Sequence, residues 1–324
     1  MKKLFLTLAL IALVFLGASA LPSDFRLRAM GNANACDTSE NGAIFTNPAS
    51  LYFHNSETFL NVHVSLSDYH KGDETDGWPF LPGGDFHARF AGKFLSFTGS
   101  IMTQSISHNG HYDSIRTFAA DVSATAGWKE YASVGIGLNA GLKSEREGFY
   151  VSDNNRLMDF VRNMIAGEYS RIDDSEFAVV RAGAQISYGG FRIGLMAPQV
   201  YTYQNGNGVF SSSGLSAGVA YNGSQYYGRA RLNTFVISAL VEINNLIDEE
   251  KILHTGAELS INVTPSNKFS VRAGYESSLS NMSEGTLTLG ASAVSGRFEI
   301  NTFVELPVQN LQTISYSIDL VFYY

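Results

Sequence analysis

From about residue 57 to the last residue, the sequence alternates between apolar side chains and polar or small ones with a period of two. Successive side chains on a strand point to opposite faces, so a chain patterned in this way builds two-faced β-sheet and little else. Leu60, Val62, Val64 and Leu66 alternate with Asn61, His63, Ser65 and Ser67. Ala132, Val134, Ile136, Leu138, Ala140 and Leu142 alternate with Ser133, Gly135, Gly137, Asn139 and Gly141. The same holds for Leu253, Ala257, Leu259, Ile261 and Val263 against His254, Gly256, Glu258, Ser260 and Asn262, and for Phe269 to Tyr275.

Fourteen strands are expected, at about 58–68, 85–91, 94–104, 114–126, 131–143, 176–188, 191–203, 213–222, 225–243, 251–263, 268–278, 285–294, 297–305 and 311–324. Tight connections fall at Gly92-Lys93, Gly127 to Glu130, Gly189-Gly190, Asn222-Gly223-Ser224, Thr264 to Asn267 and Ser295-Gly296. Longer ones fall at about 69–84, 105–113, 144–175, 204–212, 244–250, 279–284 and 306–310. Tight turns at one end and long loops at the other are how outer-membrane barrels are built. An even strand count puts both ends of the barrel chain on the tight-turn side, the periplasm.

A soluble β-sandwich is the competing architecture. Strands of about 10 residues suit a tilted membrane crossing. The last strand carries Ile314, Tyr316, Ile318, Leu320, Phe322 and Tyr324 on one face and Thr313, Ser315, Ser317 and Asp319 on the other. An exposed aromatic terminal strand is a liability in water; it resembles the signal read by the bacterial outer-membrane assembly machinery. The fold class expected is all-β: a fourteen-stranded antiparallel transmembrane barrel in the bacterial outer membrane, in contact with its lipid.

The start of the chain agrees with export. Lys2-Lys3, the apolar run Leu4 to Leu16 and Ala18-Ser19-Ala20 make a cleavable signal peptide over residues 1–20. The apolar run is too short to span a bilayer as a helix. The single cysteine, Cys36, leaves no internal disulfide to form. The net charge of −8, less the two leader lysines, gives −10 for the mature chain. Such a balance excludes nucleic acid as a partner, since phosphate rewards basic surfaces.

Several residues stand out against the alternation. On the inward face lie charges of both signs: Asp121, Arg181, Arg229, Arg231, Glu258, Arg272, Glu276, Glu299 and Asp319. Buried charges need partners or water; these could line an aqueous pore, hold a plug, or pair across the lumen as a structural ladder. The outward phase of 225–243 slips near Asn233, which reads as a bulge that curves the wall or opens it sideways, or as two strands instead of one. In the loops, Trp78, Phe80 and Leu81 are apolar, and Arg156 to Ile165 reads as a short helix with Leu157, Phe160, Val161, Met164 and Ile165 on one face. They pack on the barrel rim or form an exterior hydrophobic groove.

Between leader and barrel, Ala29-Met30-Gly31, then Asn41 to Phe45, then Asn47-Pro48-Ala49-Ser50-Leu51 resemble the N-terminal hatch of the FadL family and of its smaller PorV-like relatives. His254-Thr255-Gly256-Ala257-Glu258 and Phe269 to Tyr275 resemble a second block of that family. Gly31-Asn32 departs from the Gly-Gly common there, and the chain is shorter than typical fatty-acid transporters. The resemblance implies a hatch over residues 21–57, marked by Gly31, Asn47, Pro48 and Ala49, that plugs a barrel over residues 58–324. It implies passage of long-chain fatty acids or other hydrophobic small molecules, taken up at an exterior groove. A PorV-like role in protein secretion or surface attachment is the alternative.

Enzymatic chemistry is not expected. Gly214-Leu215-Ser216-Ala217-Gly218 matches a nucleophile elbow, but that motif needs a strand, a sharp turn and a helix, and here it lies in alternating sequence. Gly135-Ile136-Gly137-Leu138-Asn139-Ala140 lacks the helix a dinucleotide site requires. His108 and His111 alone are too few ligands for a metal. No cofactor is implied.

Overall fold

The computed structural model describes residues 25–30, 32–36, 47–53, 59–68, 82–92, 94–108, 111–150, 171–223, 235–264, 266–309 and 314–323. Among the described residues, fifteen strands form one antiparallel sheet. They are β1 (Phe59–Asp68), β2 (Pro82–Ala91), β3 (Leu95–His108), β4 (His111–Trp128), β5 (Ala132–Tyr150), β6 (Arg171–Tyr188), β7 (Phe191–Gln204), β8 (Asn207–Phe210), β9 (Ser216–Asn222), β10 (Phe235–Asn244), β11 (Ile252–Thr264), β12 (Asn267–Ser278), β13 (Thr286–Ser295), β14 (Phe298–Pro307) and β15 (Ser315–Tyr323). Each strand pairs with its neighbour in sequence, except that β9 pairs with β7. The first strand pairs with the last, Val62 opposite Phe322. The sheet therefore closes on itself, and closure removes the free edges that an open sheet exposes. The four-residue β8 stands outside this circuit, folded back on Tyr201–Gln204 of β7.

Most strand positions agree with the alternation to within a few residues. Three connections do not. The loop expected at 105–113 is strand almost throughout: β3 runs to His108 and β4 begins at His111, with these two residues opposite one another. The loop expected at 144–175 shrinks from both sides, since β5 continues to Tyr150 and β6 starts at Arg171. Within 204–212 lies β8. The reason is physical. Strands of 18, 19 and 18 residues in β4, β5 and β6 are nearly twice what a tilted crossing needs. Their far ends, such as Lys143-Ser144-Glu145-Arg146-Glu147, are polar on both faces, so they carry no alternation to read. The expected helix over 156–165 and the expected bulge near Asn233 lie outside the described residues, as do Arg229 and Arg231.

The two faces of the wall have opposite chemistry. Val134, Ile136, Leu138, Ile193, Leu195, Ile237, Val241, Phe269, Val271 and Ile318 are exposed on the outside. Ser133, Asn139, Ser238, Glu258, Ser270, Arg272, Ser317 and Asp319 are buried inside. This inversion of a soluble protein suits a lipid surround. At the tight-turn end Phe94, Trp128, Tyr131, Tyr188 and Phe191 form an exposed aromatic band, as expected where rings meet headgroups. Among the described residues no helix is long and apolar enough to cross a membrane.

The circuit carries one pronounced irregularity. On β6 and β7 the register runs Ala182↔Ala197 and then Val180↔Tyr201. Pro198, Gln199 and Val200 thus bulge opposite Arg181. The β7–β9 ladder also stops at Met196↔Ser216, just before this point. Pro198 lacks the N–H that a central strand must donate.

Candidate functional site

Residues 25–30, 32–36 and 47–53 pack against the inner face of this ring. Their apolar side chains are its core: Leu27, Met30, Ala33, Ala35 and Cys36 cluster with Met196 of β7, Ala220 of β9 and Leu240 of β10, and Ala29 packs on Phe303 of β14. Glycines in the wall make room for them. A Cβ on Gly256 would strike the Met30 backbone, one on Gly194 the Ala35 carbonyl, one on Gly183 the Asn47 side chain, and one on Gly135 the Pro48–Ala49 peptide. The alternation therefore carries a second message: where the inward residue is glycine, another piece of chain comes close.

Asn47 is fully buried and holds both pieces of the segment to the wall. Its Nδ2 donates to the carbonyls of Ala35 at 2.8 Å, Leu195 at 3.0 Å and Ala184 at 3.3 Å. Its Oδ1 accepts the Ala49 N–H at 3.0 Å, and its carbonyl accepts the Ser50 hydroxyl at 2.7 Å. Pro48 opens a 3₁₀ turn, Pro48–Phe53, where its missing N–H leaves no unpaired donor. The Ala49 carbonyl accepts from Ser133 at 2.9 Å. At the far end of the turn, Tyr52 meets the rings of Phe53 and Phe94, and Arg192 lies over Phe53 at 5.0 Å.

The one-turn helix Phe25–Arg28 is held by charge. Arg26 Nε donates to Glu258 at 2.9 Å, and Arg28 donates to Glu305 at 3.0 Å while lying 4.3 Å over the Phe303 ring. Arg272 Nε donates to the same Glu258 carboxylate at 2.5 Å and its other nitrogens to Asn301 and Ser292. Asn301 donates onward to Asp319 at 3.2 Å. Across the ring, Arg181 makes a two-pronged pair with Asp121, at 2.5 and 2.7 Å, and donates to Ser123 at 2.9 Å. A buried guanidinium–carboxylate fork satisfies the desolvated charges of both partners. Glu276 sits beside His254, with 3.5 Å between Oε2 and Nδ1.

Between these anchors lies the Asn34–Cys36 corner. Glu242 Oε2 accepts the Ala35 N–H at 2.6 Å, and Gln185 donates to the Ala35 carbonyl at 2.9 Å. Burial, and then the Glu242 charge, push the Cys36 thiol up to about 12, so the folded protein holds it as an unreactive thiol.

Of the residues singled out in sequence, the structure brings Asn47, Pro48 and Ala49 together on β5 and β6, and places Arg181, Glu258, Arg272 and Glu276 on the inner face. Gly31, Trp78, Phe80, Leu81, Leu157, Phe160, Val161, Met164 and Ile165 lie outside the described residues. Sequence reading missed Arg26, Arg28, Gln185 and Glu242. Glu242 was visible, two residues from Leu240 and four from Ser238 in the inward phase of its strand. Ser216 is a buried residue that opens β9, and its hydroxyl donates to the Gly214 carbonyl at 2.8 Å; strand rather than helix follows it, so the nucleophile geometry is not there.

No protein-family model and no curated protein matches this sequence. Solved structures do. A monoaromatic hydrocarbon channel, CymD, aligns at a TM-score of 0.62 with 13% identity, covering 95% of this chain and 98% of that one. The toluene transporter TodX of Pseudomonas putida aligns at 0.56 with 11% identity over 95% and 98% of the two chains. The toluene transporter TbuX of Ralstonia pickettii aligns at 0.55 with 12% identity over 92% and 96%. Taken with the closed ring and its apolar outer face, these likenesses give the chain the fold of the FadL-like outer-membrane barrels.

Proposed function

We propose that this protein is a hydrophobic-compound channel of the bacterial outer membrane, a fourteen-stranded wall with residues 21–57 as a hatch that plugs its lumen after the signal peptide 1–20 is removed. The observation that carries the reading is the N-terminal segment itself. It is the apolar piece in a ring lined by polar side chains, and it is fitted into glycine notches and ion pairs of the wall. A ring filled in this way is not built as an open aqueous pore. The solved barrels it resembles carry toluene and other monoaromatic hydrocarbons by their descriptions, and long-chain fatty acids are the cargo that the hatch motif suggests.

An apolar molecule gains about 0.8 kcal/mol for each CH₂ it buries, so extraction from outside needs an apolar surface. The apolar residues of the inner wall, such as Met196, Leu240 and Phe303, are covered by the N-terminal segment. Trp78, Phe80 and Leu81, with Leu157, Phe160, Val161, Met164 and Ile165, supply the apolar surface in this proposal, as a groove at the long-loop end. The partners are then the cargo, the surrounding lipid and the outer-membrane assembly machinery that reads β15.

Fluorescence titration of the refolded protein with a long-chain fatty acid tests the groove. Trp78→Phe separates the groove signal from Trp128, which is exposed in the aromatic band. A saturable change lost in Trp78→Phe, and weakened at least severalfold by Phe160→Ala or Met164→Ala, is expected. A correctly folded barrel with no saturable change would sink the groove and favour a role in protein secretion.

A further inference from the structure

Among the described buried carboxylates of the wall, Glu242 stands apart. Asp121 is paired with Arg181, and Glu258 with Arg26 and Arg272. Glu242 has no arginine or lysine partner among the described residues. Its Oε2 instead accepts the backbone N–H of Ala35 at 2.6 Å, the Asn34 N–H also faces the carboxylate, and its Oε1 has no partner there. The groups facing it on the neighbouring strands do not neutralise it by contact. Across β9 it meets Gly218, and across β11 His254. His254 is engaged through Nε2 with Asn244 at 2.8 Å and through Nδ1 toward Glu276. From the hatch side it faces the Cys36 thiol.

The carboxylate thus holds one peptide edge of the corner whose other edge, the Ala35 carbonyl, is held by the neutral amides of Asn47 and Gln185. A carboxylate taking two main-chain N–H groups makes charge-assisted bonds about twice as strong as neutral ones. Its hold on the corner is therefore strong while seated.

We propose that Glu242 is the latch of the hatch: a positioning residue that seats the Asn34–Cys36 corner against β7, β9 and β10, so that its loss frees this corner and uncovers the Met196, Ala220 and Leu240 patch while the arginine anchors stay in place. The inference rests on the hatch reading of residues 21–57. Cys36 is the native reporter, being the protein's single cysteine and buried within the corner.

The test is the labelling rate of Cys36 by a charged, water-soluble maleimide in the full mature chain, refolded in detergent. Wild type, Glu242→Ala, Glu242→Gln and Arg28→Ala are compared, with heat-modifiable gel mobility and the urea midpoint as checks on the barrel. The latch predicts slow labelling in wild type and in Arg28→Ala. It predicts labelling at least tenfold faster in Glu242→Ala, with Glu242→Gln in between because its amide oxygen still accepts one neutral bond. Should Glu242→Ala not fold, acceleration in Glu242→Gln alone decides. Equal rates in wild type and the Glu242 variants overturn the latch and leave the hatch intact. Equal acceleration in Arg28→Ala shows general loosening and overturns it as well. Rapid labelling of the folded wild type would overturn the seated hatch, and the latch with it.

Discussion

Asn47 shows how one side chain can tie a barrel to its contents. An asparagine amide offers two donors and an acceptor, and this one uses them on Ala35, Ala184, Leu195 and Ala49 together. Each buried partner left unpaired costs about 1–3 kcal/mol. Asn47→Ala is therefore expected to unseat the N-terminal segment without breaking the wall, and Asn47→Asp to do so more strongly, because a carboxylate would face three carbonyl oxygens. Single-channel recording in planar bilayers reads this directly. The expected order of open probability is Asn47→Asp, then Asn47→Ala, then a nearly silent wild type; equal currents in all three would remove Asn47 from this role. The motif was legible in sequence through its resemblance, but its bonds to the wall were not, since those to Ala184 and Leu195 join residues more than a hundred positions apart. Arg26 and Arg28 were hidden for a related reason. Two arginines just after a leader look like surface charge until Glu258 and Glu305 are brought opposite them by closure of the ring.

At the scale of elements, the sequence declared a strand wherever one face met lipid and the other met polar side chains or glycine. It falls silent where both faces are polar. That is why the alternation ends β5 at about Lys143 although the strand runs to Tyr150, and why it does not show β8, being four residues that are exposed throughout. The break in β7 has a different origin. Pro198 was in plain view, yet a proline in a strand can sit at an edge, a start or a bulge, and only the pairing of both neighbours decides. Since Pro198 to Val200 lie outside the β6–β7 register and beyond the end of the β7–β9 ladder, they lack the two-sided ladder pairing of Ile193 and Leu195, although the Val200 carbonyl accepts the Ser211 N–H at 3.2 Å. Hydrogen–deuterium exchange on the folded protein should show Gln199 and Val200 exchanging at least tenfold faster than Ile193 and Leu195. Uniform protection along β7 would mean that the ladder is continuous there.

On the scale of the whole molecule, two opposed surfaces share one chain. The outside is apolar because lipid takes the place of a core, and the inside is polar because a folded segment takes the place of water. The N-terminal residues supply most of the buried apolar side chains, packed on Met196, Ala220, Leu240 and Phe303 of the wall. Closure of the ring was foreseeable from the even alternation of turns and strands, whereas the fit of its contents depended on which inward glycines face which hatch residues. Such a filled barrel is expected still to pass hydrophobic solutes. The most direct measurement is the initial uptake rate of a labelled long-chain fatty acid, with a labelled monoaromatic and a labelled disaccharide alongside, in bacteria whose own hydrophobic-compound channel has been deleted. Expression of this protein is predicted to raise uptake of a hydrophobic solute severalfold, saturably, and to leave disaccharide uptake unchanged. Faster disaccharide entry without hydrophobic uptake would make the protein an aqueous porin, and no change in any of the three would contradict a transport role altogether.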